Sequence, residues 1–223
     1  MASHSAFQLT VRVEIWSDVV CPWCYIGKRR FERALEELDG AADVEVVWRS
    51  FELDPDAPRV QEEPALEHLA KKYGMTIEQA EAAQARVTQA AAGEGLDYRL
   101  ADTQRGNSFD AHRLIHLARA HGLQDEVKER FLRAYFTEGE RIGDPEALAR
   151  LAVEAGLDPA EVDETLATGR FGDEVREDER RARLLGINGV PFFVLDERLG
   201  VSGAQPTEIF VQALRQAAAQ AAA

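Results

Sequence analysis

The chain is poor in sulfur: 223 residues include two cysteines and two methionines. One cysteine pair cannot form the disulfide framework that staples small secreted domains. It cannot complete a four-ligand zinc site either, because the five histidines (His4, His68, His112, His116, His121) come with no second cysteine pair. His112 and His116 are four apart on an expected helix, where such a pair reads as packing or surface, and no metal or other cofactor is expected. Positive charge is also scarce, with 26 Lys and Arg against 40 Asp and Glu and a net charge of −14. The longest basic run, Lys28-Arg29-Arg30, is too short for a nucleic-acid track, so no nucleic-acid partner is expected and the acidity reads as solubility. No apolar run approaches the roughly 20 residues that cross a bilayer. Met1 to Thr10 are polar and unlike a signal peptide. The expectation is a cytoplasmic protein with no membrane partner.

What is present suffices for a core, since 45% of residues are hydrophobic. Val11, Val13 and Ile15 alternate with Arg12, Glu14 and Trp16, a strand pattern that places Glu14 on the face opposite Ile15. A helix with Phe31, Leu35 and Leu38 inward should end near Gly40. A second strand follows with Val44, Val46 and Trp48, which completes a βαβ unit. From Glu62 the pattern is helical only. Thr76 and Gln79 form a capping box, and Asp144-Pro145 and Asp158-Pro159 are helix starts, with Glu161 at capping-box spacing from Asp158. Helical stripes run through Ala111, Leu114, Ile115 and Ala118, through Val127, Phe131 and Tyr135, and through Leu148, Leu151, Ala152 and Ala155. Strand character returns at Val190 to Leu195. A turn at Asp196 to Arg198 leads to a strand from Leu199 to Ser202, so the two form an antiparallel hairpin. Pro206 opens a last helix with Ile209, Phe210, Ala213 and Leu214 inward.

The two cysteines fall where the first strand gives way to the first helix. A thiol attacks a disulfide as thiolate, and a helix N-terminus favours that negative charge through its unpaired N–H groups and dipole. Pro22 suits the first helical turn, where its missing N–H does no harm. Residues three apart in that turn share a face, so Cys24 can reach Cys21. Cys21 is therefore expected as the exposed nucleophile with a lowered pKa, and Cys24 as the more buried resolving thiol. Pro22 and Trp23, between the sulfurs, help set the redox potential.

Five segments carry a family resemblance: Ser17-Asp-Val-Val-Cys-Pro-Trp-Cys-Tyr-Ile-Gly27, Asn107-Ser-Phe-Asp-Ala-His112, Gly139-Glu-Arg-Ile-Gly-Asp-Pro-Glu146, Gly186-Ile-Asn-Gly-Val-Pro-Phe-Phe-Val194 and Gly203-Ala-Gln-Pro206. Together they resemble the thioredoxin-fold superfamily and, within it, the DsbA-like oxidoreductases of the FrnE type. The resemblance implies an α/β thioredoxin fold with a large all-helical insertion between its βαβ and ββα halves. The expected division is a thioredoxin-like domain at 10–61 and 187–219, and an inserted helical domain at 62–186. The resemblance also implies that Cys21 attacks and Cys24 resolves, and that the Val190–Pro191 bond is cis and packs beside the pair. It leaves the Val190 backbone to meet an extended substrate. One departure stands out: the buried acid that many such enzymes carry six residues before the nucleophile is replaced by Ile15. The proton acceptor for Cys24 is then open between water and a nearby acid; Asp18 is close, but expected nearer the mouth of the site.

The helical block resembles, in addition, that of kappa-class glutathione transferases and 2-hydroxychromene-2-carboxylate isomerases, which generally carry serine at the position of Cys21. Two cysteines favour thiol–disulfide exchange with protein or small-thiol substrates, glutathione among the candidates. A glutathione-dependent transferase or isomerase is the alternative, and a non-catalytic binding or chaperone-like module around Trp23, Phe192 and Phe193 is a third reading. Asn107 and His112 are candidates for the cleft, with helix capping and core packing as their plainer roles.

Overall fold

The alternation at the start of the chain becomes β1 (Thr10–Ser17), on which the rest of the sheet is built. The structure, a computed structural model, describes residues 10–38, 42–61 and 63–221. His4, most of the polar N-terminal stretch, the helix end at Gly40 and the boundary at Glu62 lie outside the described residues.

β2 (Asp43–Ser50) runs parallel to β1, with Trp48 opposite Ile15. β3 (Phe192–Leu195) runs antiparallel on the other side, with Phe193 opposite Ile15. β4 (Leu199–Ser202) closes the hairpin, giving the order β2-β1-β3-β4. The strand expected from Val190 thus begins two residues later. In the three-residue hairpin loop the Arg198 N–H donates to the Leu195 carbonyl at 3.0 Å, and the two residues inside that turn, Asp196 (48°) and Glu197 (56°), take positive φ. Asp196 is held there because its carboxylate accepts from the Arg12 N–H at 2.8 Å.

α1 (Pro22–Glu37) and α9 (Thr207–Ala221) cover one face of the sheet. Phe31 of α1 packs tilted against Phe193 of β3 with centroids 5.3 Å apart, and Phe210 of α9 meets Phe193 edge-on at 4.5 Å. In α9 the inward positions are Phe210, Val211, Ala213, Leu214 and Ala217. Ile209, expected inward, is 40% exposed, and Val211 joins the buried stripe in its place.

Between β2 and β3 the described residues form α2 (Ala65–Tyr73), α3 (Ile77–Gly93), a short 3-10 turn (Leu100–Asp102), α4 (Phe109–Ala120), α5 (Gln124–Phe136), α6 (Pro145–Glu154), α7 (Pro159–Ala167) and α8 (Gly172–Leu184). This is the α/β arrangement expected of a thioredoxin fold interrupted by helices. Thr76 and Gln79 form the reciprocal capping box. Asp144 and Asp158 cap α6 and α7. The reciprocal bond expected from Glu161 is replaced by a contact with His121 Nε2 and an ion pair with Arg170. One hydrophobic cluster runs from β1, α1 and α9 through α4, α5 and α6, so the core is continuous across the two halves.

α8 covers the second face of the sheet, where the Trp16 indole N–H donates to the Asp178 carbonyl at 2.9 Å. There Glu14 points away from Ile15 but into a buried charge cluster, paired with Arg49 and Arg181. Burial opposes its charge, yet the two guanidinium groups hold its pKa down at about 2. Along the outer edge of β2, the Gln124 side chain bonds both backbone groups of Trp48, its carbonyl accepting from the N–H and its amide donating to the carbonyl, each at 3.0 Å.

Candidate active site

The β1–α1 junction is built by residues that cannot continue the strand. Cys21 is the N-cap of α1, with extended φ and ψ of −90° and 114°, and Pro22 occupies the first turn. The Cys24 N–H donates to the Cys21 carbonyl at 3.0 Å, which sets the turn. The two thiols are free, and their sulfurs lie 3.3 Å apart.

The far end of the chain meets them. The Val190–Pro191 peptide is cis, and Cys21 Sγ lies 3.5 Å from the Val190 carbonyl oxygen, within hydrogen-bonding reach. Gly27 lets the Pro191 ring approach α1, since a Cβ there would stand 3.0 Å from Pro191 Cγ. The Tyr98 hydroxyl donates to the Pro22 carbonyl at 2.6 Å. Trp23 is 40% exposed beside the pair.

Cys21, expected to be exposed, is only 4% exposed, and Cys24 1%. The contacts that cover Cys21 come from the far end of the chain and from its partner thiol: Val190 comes within 3.5 Å of Cys21 Sγ and Cys24 backs it, while Leu53, α2 and α3 stand across a cleft of about 570 Å³ that opens beside the helix start. The cleft is lined by Asp18, Cys21, Trp23, Leu53, Tyr73, Met75, Arg105 and Val190, among others.

The electrostatics also depart from expectation. The Cys21 thiol is pushed well above its usual value, first by the facing Cys24, then by burial and by Asp18. Burial works against Cys24 as well, but the hydrogen bond from Cys21, the Lys128 ammonium and Ser17 outweigh it and leave Cys24 below the usual thiol range. The pair therefore holds one negative charge readily and resists a second, and its two ionisations belong to both sulfurs together. The cation that sequence reading missed is Lys128 on α5, 1% exposed and without a carboxylate in ion-pair contact among the described residues. Burial lowers its pKa to about 8 against the pull of Cys24 and Asp18. The signal was available: Lys128 is in helical register with Phe131, Leu132 and Tyr135, a charge placed on an apolar stripe.

Asp18, fully buried although it borders the cleft, accepts from the Leu53 N–H at 2.8 Å and faces His112 Nε2 at 3.3 Å. Burial would raise its pKa, but His112 and the Leu53 N–H keep it low. His112 is itself 1% exposed, held neutral chiefly by burial, and stands behind Asp18 rather than on the cleft wall. Asn107 is also absent from the wall. Its Oδ1 accepts from the Phe109 N–H at 2.8 Å and its amide donates to the Pro55 carbonyl at 3.2 Å, so from just before the N-cap, Ser108, it satisfies the first N–H of α4 and ties a loop. Ile15, at the position of the missing acid, is buried in the sheet.

A strand–turn–helix start carrying two touching thiols, beside a proline turn from β3, defines the site of a thioredoxin-fold protein. The model of the DSBA-like thioredoxin domain matches residues 12–215, and the chain belongs to that family. A probable DsbA oxidoreductase, SCO1869 from Streptomyces coelicolor, is 52% identical and superposes with a TM-score of 0.88 over 93% of this chain and 89% of that one. The uncharacterized protein YwbO of Bacillus subtilis is 30% identical over 92% of this chain and 96% of its own length. The cytosolic disulfide reductase DsbM from Pseudomonas aeruginosa, solved with GSH, is similar in fold: TM-score 0.61 at 20% identity, over 94% of this chain and 96% of that one. No helix among the described residues is long and apolar enough to cross a membrane.

Proposed function

We propose that the protein is a thiol–disulfide oxidoreductase working through Cys21 and Cys24. The observation that carries the reading is the 3.3 Å contact between two free sulfurs at a helix N-terminus. As Cys21 attacks one sulfur of a substrate disulfide, its proton passes across that contact to Cys24. A mixed disulfide forms and the first substrate sulfur leaves as thiolate. Cys24 then attacks Cys21 Sγ, its proton passing to the second substrate sulfur, which departs. Two electrons pass to the substrate, and the Cys21–Cys24 disulfide is reset by two equivalents of an external thiol, which leave as their own disulfide. The lowered first ionisation of the pair supports this order, because it makes one thiolate easier to form than in a free cysteine.

The Val190 carbonyl, within reach of Cys21, supports a role for that backbone in meeting the substrate. Pro22 and Trp23 flank the reacting sulfur, and Asn107 and His112 act from behind it, on the loop and on Asp18. A reducing, cytoplasmic setting suits a pair that has to be returned to free thiols. Fold alone does not choose between exchange and glutathione-dependent isomerisation; the second thiol favours exchange. Insulin reduction by the native chain, Cys21→Ser and Cys24→Ser tests the reading. Turnover by the native chain and background rates in both variants are expected. Full activity without either thiol rules it out.

A further inference from the structure

Four of the protein's exposed large apolar side chains, Trp23, Leu53, Tyr73 and Met75, gather around the cleft beside Cys21. A concentration of that kind on an otherwise charged surface marks a binding site. The room, about 570 Å³, is that of a small organic molecule.

The wall of the cleft is less acidic than the protein as a whole. The chain carries a net charge of −14, yet Arg105 and Lys72 both face this space. Of the two acids in its wall, Asp18 is spent on His112 and the Leu53 N–H, which leaves Asp54 against two cations. One guanidinium nitrogen of Arg105 is buried with no hydrogen-bond partner among the described residues. A buried donor of that strength left unmatched is costly, and a carboxylate matches its geometry better than any other side-chain-sized group. The loop that carries Arg105 is fixed in advance. Its carbonyl accepts from the Gln61 N–H at 3.0 Å, and the Asn107 N–H donates to the Pro58 carbonyl at 3.0 Å. Gly106 passes so close to Arg59 that a Cβ would stand 2.2 Å from its carbonyl oxygen.

We propose that this cleft binds a small disulfide, or the thiol derived from it, with an apolar or aromatic body and a carboxylate. Arg105 receives the carboxylate while the sulfur faces Cys21. This deepens the oxidoreductase reading and rests on it for the sulfur, but not for the anion site.

The test uses two aromatic disulfides: dithiobis(nitrobenzoate), which carries carboxylates, and dithiodipyridine, which does not. Each is titrated into a Cys21→Ser/Cys24→Ser double variant, which binds without exchanging. Arg105→Gln in that background should weaken the carboxylate probe about tenfold, and Arg105→Lys less. Dithiodipyridine binding should stay within about twofold, which also reports that the cleft is intact. Equal weakening of both probes, no weakening, or no saturable binding of the carboxylate probe overturns the proposal. Exchange by the reduced native chain is then followed with the same probes. Selective binding without any exchange leaves the anion site standing and removes the oxidoreductase reading. Exchange indifferent to Arg105 does the reverse.

Discussion

His112 Nε2 faces Asp18 Oδ1 at 3.3 Å, with both side chains buried beneath the cysteine pair. Because burial keeps the imidazole neutral, the contact is a hydrogen bond to a carboxylate rather than an ion pair between full charges. His112→Ala should cost about 2–3 kcal/mol, the worth of a hydrogen bond to a buried charge. Urea unfolding at neutral pH measures it, and a loss within error of zero would refute the pairing. Both groups have folded pKa values below their unfolded ones, so in each case the unfolded chain binds more protons in the window between the two. The pair's contribution is complete above the ordinary histidine value and is lost as pH falls, first through His112 and then through Asp18.

Lys128 should set activity against stability. Its folded pKa of about 8 lies below the ordinary 10.5, so stability gains from this group as pH rises between those values. At pH 7 its buried charge costs about 3 kcal/mol, the free energy of that shift. Lys128→Met should therefore raise the urea midpoint. The same change removes a cation that favours the Cys24 thiolate and should move the first thiol ionisation to higher pH. Thiolate absorbance followed against pH reads that step, and an unmoved step would show that Lys128 does not serve the sulfurs.

Gly27 is a helix-interior glycine, and its replacement by alanine would ordinarily stabilise α1 by about 1 kcal/mol. Contact with Pro191 at 3.0 Å opposes that gain. Gly27→Ala is expected to be neutral or destabilising and to slow exchange at Cys21, because the turn bearing Val190 has to move. A variant both more stable and equally fast would contradict the contact.

Glu14 is depressed to about 2 from 4.5 by Arg49 and Arg181 against the cost of burial. Its contribution, about 3 kcal/mol, is present above pH 4.5 and lost as pH falls toward 2. Glu14→Gln should flatten the acid limb of a stability–pH curve. An unchanged limb would assign the acid transition to other carboxylates.

The parts of the fold set by local chemistry were legible in the sequence. The alternation of Val11, Val13 and Ile15, the turn before Leu199 and the caps at Thr76, Asp144 and Asp158 each depend on neighbours a few residues away. The paired cysteines were legible for the same reason. What escaped depends on distant segments. Glu161 finds His121 and Arg170 instead of its own helix start. Ile209 yields to Val211 through the way α9 lies on the sheet. Cys21 is covered by the turn that bears Val190, and the charge that serves Cys24 comes from α5. Asn107 and His112 belong to the neighbourhood of the site, but their partners, Pro55 and Asp18, turn them away from its open side.

The amide of Gln124 has a consequence for how copies of this chain meet. By occupying both main-chain groups of Trp48, it behaves as one residue of a neighbouring strand and blocks the ladder at that point. A foreign strand cannot zip along that margin without first dislodging the start of α5, so the helices also act as a guard against sheet-to-sheet aggregation.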